Sequence, residues 1–333
     1  MNDTGNSKRC AIIFGGSGFI GQHLIQHLIE NGVWQIFNFD LVKGQISESD
    51  SIFNFCDVSK KIILDNNNYT NPVIFCLAAY FKHSDSVTSE YFRINVNAAK
   101  NICEYARDKK INTIVFLSTV ECYGVSENIK NEKTEPQPNT PYGISKLIAE
   151  YIFKEWQAEN PNRKLIILRP GVAYGKGEKG NVSKLYSTLR KKILFFPGKK
   201  DLIKSVIYVK DLVSIMVQMV KKEKSGVSLF NVGISPNPTV KELCDEISNI
   251  AGLPKARITI PKSILITMVF IVQVISLLIG KKFIQYNLAK VKKLFISTDI
   301  DSSKLIKHEY VAHYSLSESL LDWYNDCNKK GLY

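Results

Sequence analysis

A doubly wound α/β fold around a parallel sheet is predicted by three features of the sequence. Short apolar runs alternate with amphipathic helical stretches through the first half of the chain. A glycine turn joins the first run to the first helix. Later runs end in small or hydroxyl residues, where such a sheet presents its ligand-facing groups.

The first element is CAIIFGGSGFIG, residues 10 to 21. Ala11 to Phe14 reads as a buried parallel strand. Gly15, Gly18 and Gly21 follow at G-x-x-G-x-x-G spacing. HLIQHLIENG then carries apolar residues at helical spacing, with Gly32 as its stop. Strand, glycine turn and helix form the context of a dinucleotide site. The glycines let the backbone approach a pyrophosphate, and the helix start offers free N–H groups and the positive dipole end. The second strand, WQIFNFD, ends in Asp40, 19 residues after Gly21. A carboxylate there suits the adenosine ribose hydroxyls and repels a 2′-phosphate, and no Arg follows directly. NAD is therefore expected over NADP; the alternative is a surface aspartate that merely closes a strand.

The alternation continues. NPVIFCLAA (71–79) reads as a strand reaching small residues, and RINVNAAKNICEYARDKK (93–110) as an amphipathic helix. INTIVFLST (111–119) and RKLIILRPG (163–171) are two more buried strands. The 113–117 run ends at Ser118 and Thr119.

After Pro141, TPYGISKLIAEYIFKEW reads as a helix that places Tyr142 and Lys146 at i and i+4, on one face of its first turns. A free Tyr, with a pKa near about 10, is a poor base at neutral pH. An ammonium ~5 Å away favours the phenolate by roughly 3 kcal/mol at an effective dielectric near 20. An oxidised nicotinamide adds a second positive charge of similar effect. Together they bring the phenol into general-base range, and the Thr119 hydroxyl can bond the reacting oxygen and relay its proton.

The set GGSGFIG, Asp40, Asp57-Val58, LAA (77–79), STVECYG (118–124), YGISK (142–146), RPGVAYG (169–175), SVIYVKDLV (205–213) and FNVG (230–233) resembles extended short-chain dehydrogenases/reductases. More narrowly, it resembles the NAD-dependent nucleotide-sugar epimerase/dehydratase family. The motifs run in family order over nearly the whole chain. The resemblance implies a Rossmann NAD-binding domain over 1–175, with 205–235 returning to it. It implies a smaller substrate domain from 176–204 and 236–333. Tyr142 would be the base, Lys146 would tune it and hold the nicotinamide ribose, and Thr119 would be the hydroxyl partner. Gly15, Gly18, Phe19, Ile20, Gly21, Asp40 and Pro170 would hold the cofactor with Tyr142 and Lys146. Asp57 and Val58 would touch the adenine, and Leu77, Ala78 and Ala79 would line the nicotinamide side. Asn95 matches a family Asn beside the substrate, and no metal is expected.

The 4,6-dehydratases of this family resemble S-T-D-E at the strand end, where the Asp is their acid and the Glu their C5 base. Here the residues are Ser118, Thr119, Val120 and Glu121. Valine donates no proton, so dehydration is disfavoured and Glu121 is left with a structural hydrogen bond as its default role. Sugar 4-epimerisation by transient C4 oxidation needs only the Tyr/Lys/hydroxyl set and tightly held NAD, and is the favoured reaction. A 4-keto-sugar reductase or a hydroxysteroid-type dehydrogenase would use the same set. The intact set argues against a non-catalytic NAD-sensing scaffold.

Composition is that of a folded chain with a real core: of 333 residues, 45% are hydrophobic and 23% charged. Seven scattered cysteines form no C-x-x-C pair, which reads as reduced thiols in a cytosolic protein. The polar start MNDTGNSKRC shows no secretory signal. Net charge is +13, and it is uneven. Lys255 to Lys307 holds ten basic residues against two aspartates, and Lys176 to Lys204 nine against Glu178 and Asp201. No nucleic-acid motif accompanies them, so nucleic acid is not an expected partner. A solvated basic face is one reading. A phosphorylated substrate or an anionic membrane surface is the other, because the basic residues flank apolar sequence.

That apolar sequence is SILITMVFIVQVISLLIGKK, residues 263–282, in which only Thr267, Gln273 and Ser276 interrupt the sixteen residues from Ile264 to Ile279. A helix apolar on nearly every face is core or membrane-associated. As a span it is short. The expected arrangement is a membrane-associated helix at 263–280, lying in one leaflet and held by Lys262, Lys281, Lys282, Lys290, Lys292 and Lys293. The chain is indeed similar to bacterial enzymes that epimerise N-acetylglucosamine at C4 on undecaprenyl pyrophosphate, in YGISKLIAEYIFKEW, RPGVAYGKGEKGNV and IGKKFIQYNLAKVKKLF. That resemblance implies a lipid-pyrophosphate-linked GlcNAc/GalNAc substrate in O-antigen polysaccharide biosynthesis, at the cytoplasmic face of the inner membrane. It also implies substrate contacts from Lys82, His83, Asn181 and Lys204, and pairing through helices as a homodimer. A soluble UDP-hexose 4-epimerase whose apolar helix is core or a dimer face stays open.

Overall fold

The computed structural model describes residues 8–47, 49–63, 67–81, 87–126, 128–193, 195–197, 199–279 and 295–333. In chain order the Rossmann half runs β1 (Arg9–Phe14), α1 (Phe19–Glu30), β2 (Trp34–Asp40), β3 (Ile52–Phe55), β4 (Val73–Cys76), α2 (Thr88–Tyr91), a π-turn (Phe92–Val96), α3 (Asn97–Asp108), β5 (Thr113–Leu117), a 3-10 turn (Val120–Tyr123), α4 (Pro141–Ala158) and β6 (Lys164–Pro170). Then come β7 (Val172–Tyr174), α5 (Asn181–Arg190), β8 (Phe195–Pro197), β9 (Val206–Tyr208), α6 (Val209–Lys222), β10 (Gly226–Val232), α7 (Val240–Ala251), β11 (Ile258–Ile260), α8 (Lys262–Ile279), α9 (Ser303–Lys307) and α10 (Leu316–Asp326).

Among the described residues the main sheet has seven strands in the order β10-β6-β5-β4-β1-β2-β3. Every pair is parallel. A parallel sheet needs crossover helices on both faces, so its strands are apolar on both sides. β1 shows this directly. Ala11 and Ile13 join a cluster with Leu24 and Leu28 of α1 and Leu212 and Met216 of α6. Cys10, Ile12 and Phe14 join the opposite cluster, with Ile102 of α3 and Phe153 and Trp156 of α4. The strand order reverses between β1 and β4, which opens a crevice at their carboxyl ends.

β10, inside the segment expected to return to the sheet, pairs with β6 along its whole length, Gly226↔Lys164 to Val232↔Pro170. Leu305 and Tyr310, beyond that segment, also pack into the first cluster. A third cluster unites Val182 and Leu189 of α5, Leu243 and Ile247 of α7, and Leu320 and Trp323 of α10. All seven cysteines are free and buried. β3 has no counterpart among the predicted elements: at the sheet edge it is half exposed and carries no clear apolar pattern.

The apolar run forms α8 as expected, and over its first turns α8 is not core. Ile264, Met268 and Ile271 are 51%, 53% and 49% exposed, at i, i+4 and i+7, and Phe270 beside them is 60% exposed. Among the described residues an inner edge is covered, where Val269, with Leu265 and Ile266, meets Phe295. No helix among the described residues is long and apolar enough to cross a membrane.

Two charges are fully buried between α4 and β6. Arg169 donates from Nε and Nη2 to the two carboxylate oxygens of Glu150 at 2.9 and 2.6 Å, and their side chains are 2% and 0% exposed. Removing one partner of such a pair strands the other charge in the core. Glu150→Ala should therefore cost about 3–5 kcal/mol, read as a lower denaturant midpoint, and Glu150→Leu with Arg169→Met should recover most of it.

Candidate active site

The cofactor cradle is built by close backbone approach. Gly15 sits at φ +89° just after β1, and a Cβ there would lie 2.6 Å from the Ala78 nitrogen. Only glycine fits both the conformation and the space. Leu77 and Ala78 donate their N–H groups to the Phe14 carbonyl, which fixes 77–79 beside the glycine turn. α1 starts at Gly18 with no side-chain cap and no acid in its first turn. The N–H groups of Phe19, Ile20 and buried Gly21 are thus left to a ligand, and an anion there is favoured by the dipole. Asp40 ends β2, and its Oδ2 accepts from the Ser17 N–H at 2.9 Å, which holds the carboxylate at the rim of the cradle. Asp57 accepts from the Ser59 N–H and hydroxyl. The Val58 carbonyl accepts from Asn101. Pro170 closes β6. These residues fit a dinucleotide: space without Cβ atoms, free N–H donors, and a carboxylate where a ribose would lie.

The residues expected to be catalytic lie at the end of β5 and in the first turns of α4. Thr119, 8% exposed, accepts the Glu121 N–H on its hydroxyl oxygen. Its own O–H proton remains available for a reacting oxygen. Thr140 caps α4 by accepting the Gly143 N–H at 3.0 Å, and donates to the Glu121 carboxylate at 2.7 Å. Glu121 thus ties the helix start to the strand end, a structural hydrogen bond as expected. Position 143 admits no side chain, because a Cβ would lie 2.6 Å from the Glu121 carbonyl oxygen. The turn that follows brings Tyr142 against the rings of Phe81 and Tyr91, at 4.9 and 6.3 Å between centroids.

Lys146 lies one turn deeper, 2% exposed, with its ammonium 4.1 Å from the Phe116 ring centroid. Burial lowers its pKa, opposed by Cys76, Cys122 and Glu150. Tyr142 differs from the expectation. Burial first, then Glu121, Cys122 and Tyr91, push its phenol well above the ordinary value. The reason is geometric: the ammonium rests on Phe116, so the phenol feels desolvation and a carboxylate. Its use as a base would draw on the Lys146 ammonium and on the positive charge that bound NAD would supply.

The residues expected at the substrate divide. Asn95 is 4% exposed; its oxygen accepts from Tyr80 N–H at 2.6 Å, and its amide donates to Ser145 Oγ at 2.9 Å. It holds the chain beyond Ala79 against α4, a positioning role. Asn181 is exposed at the start of α5. Lys204 is half-buried, donates to the Ile296 carbonyl at 2.7 Å, and has its pKa pushed down to about 8 by burial. Lys82 and His83 lie outside the described residues. Among those described, no group of His, Cys, Asp and Glu could hold a metal ion.

The residues that fix α4 were not singled out in the sequence. Ser118 donates to Glu150, the Arg169 guanidinium lies 4.6 Å over the Tyr123 ring, and Tyr123 donates to Asn231 Oδ1 at 2.7 Å. A signal existed: Glu150 sits among apolar residues of a helix, and Arg169 ends an apolar strand run. Each buried charge requires the other.

Comparison with known proteins agrees with this geometry. The model of the NAD dependent epimerase/dehydratase family matches residues 11–233. The chain belongs to that family. It is therefore an NAD-dependent enzyme of the extended short-chain dehydrogenase/reductase type. It is 28% identical over 323 residues to the N-acetyl-α-D-glucosaminyl-diphospho-ditrans,octacis-undecaprenol 4-epimerase of Escherichia coli O157:H7, covering 96% of this chain and 94% of that one. A UDP-glucose 4-epimerase of Halalkalibacterium halodurans is 26% identical over 271 residues, 73% of this chain and 80% of that one. The crystal structure of UDP-N-acetylglucosamine 4-epimerase from Bacillus cereus shares the fold, with a TM-score of 0.73 at 18% identity over 96% of this chain and 100% of that one.

Tyr142→Phe should lower kcat by about 10²–10⁴-fold while NAD binding, followed by cofactor fluorescence, is retained. Glu121→Gln should move the acid limb of the kcat/KM profile to lower pH. Glu121 raises the phenol's pKa, so removing its charge lets the phenolate form at lower pH.

Proposed function

We propose that this enzyme epimerises a sugar at C4, with an N-acetylhexosamine (GlcNAc/GalNAc) carried on undecaprenyl pyrophosphate as substrate, in surface polysaccharide (O-antigen) biosynthesis. Bound NAD supplies a hydride acceptor and, in the reverse sense, a hydride donor. Tyr142 takes the proton of the 4-hydroxyl and later returns it. Thr119 donates its O–H to the same oxygen and steadies it. Lys146, on the Tyr142 face of α4, holds the phenolate and a ribose hydroxyl. The 4-keto sugar turns over in the cleft before C4 is reduced from its other face. Val120 offers no proton beside Glu121, which argues against loss of water.

The observation that carries the lipid-linked reading is the exposed stripe of α8, Ile264, Met268 and Ile271, which a core helix would bury. The resemblance over nearly the whole chain to an enzyme named for a diphospho-undecaprenol substrate supports it. In this reading α8 lies in the cytoplasmic leaflet of the inner membrane, monotopic, and Lys204 and Asn181 meet the sugar pyrophosphate, with Lys82 and His83 nearer the sugar. Pairing would run through α4, where Ile144 and Tyr151 are 36% and 53% exposed. The second reading is a UDP-hexose 4-epimerase, favoured by the likeness to the Halalkalibacterium enzyme.

Incubation with undecaprenyl-pyrophosphate GlcNAc and, separately, with UDP-GlcNAc decides between the two. Release and analysis of the sugar should give GalNAc from the lipid-linked substrate at a rate far above that from the nucleotide sugar. The opposite preference would sink the first reading.

Lys204 carries a pH prediction. Its ammonium is lost as pH rises through about 8, and with it the attraction for pyrophosphate. KM should rise above about pH 8. Lys204→Ala should raise KM about 10- to 100-fold with a smaller change in kcat, and remove that alkaline rise.

A further inference from the structure

The sequence shows two cationic stretches some sixty residues apart, each beside apolar residues, and the fold joins them. β8, at the centre of KKILFFPGKK (191–200), pairs in parallel with β11, in register Ile258↔Phe195, Thr259↔Phe196 and Ile260↔Pro197. Parallel register fixes which ends meet. Lys191 and Lys192 precede β8 at the end where Lys255 and Arg257 precede β11, and all four are exposed. At the other end Lys199 and Lys200, both exposed, follow β8 where Pro261 leads into α8. Ile258 is 67% exposed on the ribbon itself. The Lys200 carbonyl accepts from the Lys241 N–H, which fixes the lysine pair to α7.

We propose that the β8–β11 ribbon and the exposed stripe of α8 form one surface that lies on an anionic lipid bilayer, with Lys191, Lys192, Lys199 and Lys200 as an anchoring point separate from the helix. The inference rests on the membrane-associated reading of α8 and adds a second contact to it. Charge complementarity selects the partner. The ribbon that leads into the apolar stripe carries six exposed cations, Asp201 following Lys200 directly, and basic residues beside an apolar strip match lipid acyl chains bordered by acidic headgroups. Two separated contacts also fix orientation, which a single helix lying in a leaflet does not. Lys204 follows Lys200 by four residues and donates to the Ile296 carbonyl, so the anchored edge continues directly into the segment proposed to meet the pyrophosphate.

The test is co-sedimentation of the full-length protein with vesicles of phosphatidylglycerol and phosphatidylethanolamine, and with vesicles of phosphatidylcholine alone. The wild type should bind the anionic vesicles and release as salt is raised. Lys191→Glu, Lys192→Glu, Lys199→Glu and Lys200→Glu combined should weaken that binding at least about tenfold, with circular dichroism and NAD binding unchanged. Should the fourfold variant fail to fold, Lys199→Gln with Lys200→Gln replaces it, with a smaller loss expected. Wild-type binding that the lysine variants match overturns the second anchor and leaves the membrane reading of α8 standing. A wild type that ignores both vesicle types overturns both.

Discussion

A carboxylate and a guanidinium with almost no solvent contact, Glu150 and Arg169, tie α4 to β6 and to the end of β5. Glu150 lies on α4, one turn beyond Lys146 and two beyond Tyr142, so the pair fixes the rotation of that helix against β6. Ser118 donates to the same carboxylate from the end of β5. The buried pair therefore registers the helix that carries Tyr142 and Lys146, the strand end that leads to Thr119, and β6. Such a pair adds little net stability over a well-packed apolar substitute. Its worth here is geometric, because a base must sit within about 3 Å of the proton it takes.

The electrostatics around α4 follow from that placement. Lys146 is deep and desolvated, with its ammonium against the Phe116 ring face, and burial lowers its pKa against the opposing effect of Cys76, Cys122 and Glu150. Tyr142 is nearer the opening and feels burial and Glu121. Both side chains are therefore biased toward neutrality when considered alone. With NAD bound, the Lys146 ammonium and the positive charge of an oxidised nicotinamide would favour the phenolate.

The parts of the molecule legible in the sequence are those set by local rules. The β1 turn announces itself by three glycines between a strand and a helix, and the structure gives the reason in the space between Gly15 and Ala78. Tyr142 and Lys146 share a helix face by spacing alone. Long-range pairings were harder to read. Asn95 reads in the sequence as a polar residue beside the substrate, and its amide also ties Tyr80 to Ser145, which lies fifty positions beyond Asn95. β3 carries no pattern because a half-exposed edge strand has none to carry. α8 was visible as an apolar run, but whether such a run is core depends on what packs against it. In the structure its inner edge meets Phe295 while Ile264, Met268 and Ile271 face outward. The basic clusters could be counted along the chain, but their meeting at the β8–β11 ribbon could not.

Hydrogen tracing shows whether the sugar is oxidised and reduced at C4 without release. A substrate carrying deuterium at C4 is turned over in ordinary water, and the epimerised sugar is analysed by mass. Full retention of deuterium at C4, with no net change in bound NAD, is the predicted result. Loss of the deuterium to solvent would contradict transient oxidation and require another chemistry at this site.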